Sequence, residues 1–69
     1  METALIHTAK TIDELTTFIN LYFKSEFKLI PAFGNTYDIE IIKTGENKNG
    51  YMAIKLHDFK YQLKYILNS

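Results

Sequence analysis

Residues 11–26, TIDELTTFINLYFKSE, decide how this chain folds. Thr11 is followed three residues later by Glu14, the spacing of a capping box: the hydroxyl accepts the Glu14 amide while the carboxylate turns back to the Thr11 amide. Asp13 and Glu14 also put negative charge in the first turn, where unpaired amides and the macrodipole favour it. Ile12, Leu15, Phe18, Ile19, Tyr22 and Phe23 then recur at helical spacing and cover one broad face, the core side. Thr16, Thr17, Asn20 and Lys24 fall opposite. Leu21 projects away from the stripe and is an exposed apolar side chain, ordinary by itself but retained as a candidate partner contact.

On either side the period changes from helical to extended. Thr3 to Ala9, TALIHTA, is rich in β-branched and small residues and reads as a strand running into the helix, with His7 as a half-buried packing residue. Phe27 to Ile30 is a short extended segment that Pro31 confines to a sheet edge or strand end. Gly34 and Asn35 supply turn chemistry. Thr36 to Lys43 alternates, with Tyr37, Ile39 and Ile41 on one face and Asp38, Glu40 and Ile42 on the other. After the loop TGENKNG (44–50), Tyr51 to Leu56 returns with Met52, Ile54 and Leu56 on its apolar face. Matching the apolar faces predicts that Thr44 joins Tyr51, Ile41 faces Ile54 and Ile39 faces Leu56. Glu40 would then lie across from Lys55 and Asp38 across from His57, pairs of opposite charge.

Residues 58–68 fit two periods. Phe59, Tyr61, Leu63, Tyr65 and Leu67 alternate as in a strand, while Phe59, Leu63, Ile66 and Leu67 also form a helical stripe behind Asp58 as N-cap. The helix is the reading adopted, because the apolar phase breaks between Leu56 and Phe59 and His57-Asp58 is poor chemistry for a two-residue hairpin turn. The order becomes β-α-β-β-β-α, last element helix or strand: a single α+β domain over residues 1–69, one amphipathic helix on a small antiparallel sheet. From the first helix onward this order is similar to that of the double-stranded-RNA-binding domain. That family opens its second helix with a cluster of phosphate-gripping lysines. This chain has Asp58, Phe59 and a single Lys60 there, so no functional residue is carried across.

At 69 residues the chain is near the size at which only about 60% of the unfolded surface is buried. It has no cysteine, so neither a disulfide nor a thiolate-bound metal supplements the core. Hydrophobic residues at 46% and aromatics at 14% supply a core with aromatic surface to spare, which leaves self-association as a homodimer open. Net charge is zero but uneven: before Asn47 the chain is acidic, while Lys48, Lys55, Lys60 and Lys64 face only Asp58 afterwards. Arginine, the side chain suited to bidentate recognition of phosphate or guanine, is absent. The bias to lysine, isoleucine, asparagine, tyrosine and phenylalanine is what AT-rich coding produces, pointing to a low-GC bacterium or its phages and plasmids. The opening Met1, Glu2, Thr3 has no basic start, and no segment approaches the roughly 20 apolar residues of a membrane span. The expectation is a cytoplasmic protein with no membrane partner.

The residues that carry chemistry are few. His7 and His57 lie on separate strands, Ser25 and Ser69 sit in no nucleophile motif, and no spacing matches a metal-ligand pattern. The glycines and lysine of 44–50 lack Walker A spacing. No catalytic, cofactor-binding or metal-ligating residue is assigned, and the expectation is not an enzyme. A helical tail would stack Lys60 on Lys64 and Tyr61 on Tyr65 away from the core, an aromatic and basic surface of the kind enriched at interfaces. Lys60, Tyr61, Lys64, Tyr65 and Leu21 are therefore the candidate partner-binding residues of a non-enzymatic protein-binding module, and the expectation is a phage or mobile-element accessory protein that binds and modulates a host protein. The alternative is a small nucleic-acid-binding protein that uses the same lysines on phosphates and tyrosines on unpaired bases. Exposed edges at Thr3 to Ala9 and Phe27 to Ile30 offer a further route to strand pairing.

Overall fold

The computed structural model describes residues 2–68. In chain order these form β1 (Glu2–Ala9), α1 (Ile12–Phe23), β2 (Phe27–Pro31), β3 (Thr36–Ile41), β4 (Tyr51–His57) and β5 (Lys60–Asn68). The five strands make one antiparallel sheet in the order β1-β5-β4-β3-β2. Because α1 joins the strands at the two opposite edges, it must cross the whole sheet, and it touches β1, β5 and β2 on the way. One face of the sheet is thereby covered; among the described residues no element covers the other.

The helix is built as its sequence requires at the start and by a local compromise at the end. Thr11 Oγ1 accepts the Glu14 amide at 3.1 Å, and the Glu14 carboxylate takes the Lys10 amide at 3.2 Å, one residue before the one a standard capping box uses. At the other end Lys24 adopts a left-handed conformation, φ 54°, and both Lys24 and Ser25 donate to the Asn20 carbonyl. The Asn20 side chain then accepts the Phe27 amide at 2.7 Å and launches β2.

Leu15, Ile19 and Leu63 are fully buried, with Ala53, Ile39, Phe27 and Ala9 completing the core. Phe18 and Phe23 pack against this core from the half-exposed margin. Tyr22, expected inside, is 49% exposed, its ring lying against those of Phe18 and Phe23 at the edge of the helix face.

The tail is a strand, not the helix adopted from its sequence. Tyr61, Leu63 and Tyr65 of β5 face α1 while Lys60, Gln62, Lys64 and Ile66 face away, and β5 is hydrogen-bonded by β1 on one side and β4 on the other. A helix here would leave both neighbours with unpaired edges. The broken apolar phase that favoured a helix is a β-bulge between Lys55 and His57. The missing turn glycine is offset by His57, whose Nδ1 accepts the Phe59 amide at 3.3 Å. With a strand in this place, the order shared with the double-stranded-RNA-binding domain is lost.

The expected register of β3 with β4 is also corrected. Thr36 faces Ile54 and Tyr37 faces Ala53, whereas further along Glu40 bridges Asn47. The chain turns back early, with Gly45 (φ 76°) donating to the Ile41 carbonyl at 2.7 Å, and residues 46–48 take the strand hydrogen bonds of Ile39 and Ile41. The surplus is absorbed at Asn49–Gly50, where Gly50 (φ 88°) lies under the Tyr65 ring and accepts the Ile66 amide. Glu40 therefore pairs not with Lys55 but with Lys28 of β2, at 3.2 Å, and Lys55 pairs with Asp58 at 3.3 Å. Asp38 lies opposite Ile30, not His57.

Two stability changes follow. Leu63→Ala should cost about 2–5 kcal/mol by urea denaturation, since the cavity opens beneath Leu15 and Ile19. Lys24→Gly should add about 0.5–1 kcal/mol and raise the melting temperature by circular dichroism, because it relieves a left-handed residue carrying a Cβ.

Candidate interaction surface

Strand geometry separates the side chains that a helical tail would have gathered. Alternation along β5 sends Lys60 and Lys64 to the uncovered face and Tyr61 and Tyr65 to the helix side. Tyr65, 42% exposed, stacks on Tyr51 at 5.1 Å. Tyr61 lies 6.5 Å from Tyr37 in the margin of the core. Leu21, 74% exposed, sits on the outer side of α1 with the helix between it and the sheet. The five candidates thus occupy three different surfaces.

What the fold does bring together is one end of the sheet. The β2–β3 turn and the β4–β5 turn lie at the same end of adjacent hairpins, tied by the Lys55 amide donating to the Asn35 carbonyl at 2.8 Å. Each turn presents a phenylalanine: Phe33 is 94% exposed and Phe59 75%. Leu56, at the β4 bulge between them in sequence and strand position, is 44% exposed. Local bonds stiffen both turns, since Thr36 donates through its hydroxyl to the Phe33 carbonyl at 2.6 Å and His57 holds the Phe59 amide. Beside them, on the helix side, Lys55 lies 5.9 Å from the Tyr61 ring centroid while bonding Asp58. The end is therefore apolar at its tips and flanked by a fixed ion pair and a tyrosine couple.

Lys55 holds its proton more tightly than an ordinary lysine, first through the hydrogen bond to Asp58, then through the Tyr61 phenol and the Asp58 charge. The sign follows: what this pair adds to stability is fully present below the ordinary lysine value of 10.5 and is lost as pH rises through the higher folded value.

Neither Phe33 nor Phe59 was among the residues singled out from sequence. The helical period places Phe59 in a core stripe that does not form, because residues 60–68 are a strand. Phe33 had a legible signal: it lies between Pro31 and Gly34-Asn35, and a phenylalanine inside a tight turn has no layer to bury it.

The remaining chemistry is local. The His7 ring stacks on Phe18 with centroids 3.8 Å apart, and β5 separates its strand from that of His57. An open depression of about 490 Å³ is lined by Lys24, Ser25, Glu26, Ile42 and Lys43, charges of both signs around a hydroxyl with no hydrogen-bonded base among the described residues. No three of His, Asp and Glu converge among the described residues, and no helix there is long and apolar enough to cross a membrane.

Asp58→Asn should lower the Lys55 pKa toward the ordinary lysine value, read from the Nζ-coupled resonances in an NMR titration, without moving the backbone shifts of β5. No protein-family model matches this chain, and no curated protein or solved structure is significantly similar to it.

Proposed function

We propose that this chain is a non-enzymatic protein-binding module that docks through the hairpin-tip end carrying Phe33, Leu56 and Phe59. The observation that supports this most directly is the exposure of two phenylalanines, Phe33 at 94% and Phe59 at 75%, on hydrogen-bonded turns at one end of the sheet. Each forgoes about 1.5–3 kcal/mol that burial would provide, and neither contributes to the core. Aromatic anchors held rigid before binding lose little entropy on docking, which is how a small patch reaches useful affinity. The partner that fits is a protein with apolar pockets spaced for two rings, with polar groups at the rim to meet Lys55 and Asp58. A nucleic-acid ligand fits less well, since the tips carry no lysine and the chain has neither net positive charge nor arginine.

The AT-rich composition makes a low-GC bacterial lysate the place to look for that partner. Native chain and the Phe33→Ser/Phe59→Ser double variant are immobilised side by side, with and without nuclease. A protein retained by the native chain in both conditions and lost at least tenfold from the variant is the expected result. The variant itself should melt within about 0.5 kcal/mol of the native chain. Identical retention by both chains, or retention of nucleic acid alone, would sink this reading.

A further inference from the structure

The sheet face turned away from α1 has a pattern that the hairpin tips do not explain. Its middle row, read across the strands, begins Leu5–Lys64–Met52 by the observed pairing of β1, β5 and β4. On the far side Asp38 pairs with Ile30, and continuing the register one residue past Tyr37–Ala53, where the β3–β4 pairing ends, sets it beside Met52. The row therefore reads apolar, basic, apolar, acidic, apolar, with opposite charges placed symmetrically about β4, the central strand. In the next row Gln62 is followed by Ile54 on β4 and Thr36 on β3. Gln62 is only 7% exposed and its amide is already bonded to Thr8 at 3.2 Å, so it asks nothing of a partner.

Two charges in that middle row stand apart. Among the described residues Lys64 and Asp38 make no ion pair, whereas Lys28 is matched with Glu40 and Lys55 with Asp58. A row that carries one unmatched base and one unmatched acid on either side of an apolar axis is complementary to itself.

We propose that two copies of this chain pack their uncovered sheet faces together about a two-fold axis running along β4. The axis sets Met52 on Met52 and Ile54 on Ile54 of the other copy and Lys64 over Asp38. Face-to-face sheets cross at about 30°, so the central strand and its two neighbours remain in register while the edges diverge. The symmetry is isologous, the commonest arrangement among homo-oligomers. The molecule measures 28 × 27 × 21 Å, and a broad face of that size matches the roughly 800 Å² per partner of a standard interface. Growth at the sheet edges is obstructed instead: β1 is bulged between Leu5 and His7, and β2 is short and ends in Pro31. This surface is distinct from the hairpin tips, and the dimer stands or falls independently of them.

Sedimentation velocity and a thiol cross-link test it. The native chain should sediment as a concentration-dependent dimer, and Lys64→Glu and Asp38→Lys should each raise the dissociation constant at least tenfold while keeping the native circular dichroism spectrum. Mixed in equal amounts, the two variants should form a heterodimer, because each supplies the charge the other has lost. Since the chain has no cysteine, Met52→Cys places one thiol on the axis, and copper–phenanthroline oxidation should join it to its copy far faster than Thr17→Cys on the helix exterior. A native chain that stays monomeric to about 1 mM, where association is worth no more than about 4 kcal/mol, would overturn the proposal. So would Met52→Cys and Thr17→Cys linking at equal rates.

Discussion

The structure depends on a single contact layer: Leu15 and Ile19 of the helix against Leu63 and Ala53 of the two central strands, all four fully buried. Ala53 is the small member, wholly buried at the middle of the sheet. With one helix over a five-stranded sheet there is no second apolar layer to take up slack. Beyond this layer and the buried Ile39, Phe27 and Ala9 lies a margin, and much of it is aromatic. His7, Phe18, Tyr22, Phe23, Tyr51 and Tyr65 follow one another in ring contact from β1 over the helix to β4 and β5. Large rings at a half-buried rim cover area that a domain this small cannot enclose.

The same economy explains which surfaces stay available. A helix that must reach from one sheet edge to the other cannot also cover the opposite face or the hairpin tips. The edges carry their own protection, a bulge on β1 and Pro31 with Lys28 on β2. Strand pairing with another chain is thereby disfavoured, while side-chain docking on the tips and on the open face is not. The tips offer exposed aromatic rings on hydrogen-bonded turns and the face offers a shallow apolar surface with both signs of charge. These are different kinds of recognition, and a dimer built on the face about an axis along β4 would carry both sets of tips at the same end of that axis.

Much of the architecture was legible in the sequence because it is dictated locally. The capping box, the apolar stripe from Leu15 to Phe23 and the extended segments on either side each follow from residues within a few positions of one another. Pro31 announced an edge strand, and β2 is one. The errors fall where a local pattern was satisfied by two structures. Residues 58–68 match both periods, and only the open hydrogen-bonding edges of β1 and β4 choose the strand. The β3–β4 register was argued from apolar faces and charges, yet Gly45 and Gly50 let the loop itself take strand bonds and move the register. The candidate site suffered most, since a helical tail would have put lysines and tyrosines side by side and a strand places them on opposite faces.

The sequence alone therefore determined the helix, the face on which it buries Leu15 and Ile19, and an α+β sheet. Those features depend on side-chain period and residue chemistry, which are properties of short segments. Only the tertiary structure decided the fate of the tail, the strand order, and the exposure of Phe33 and Phe59. Each of those rests on backbone hydrogen bonds and burial between residues far apart in the chain, and such partners become known only when the strands are assembled.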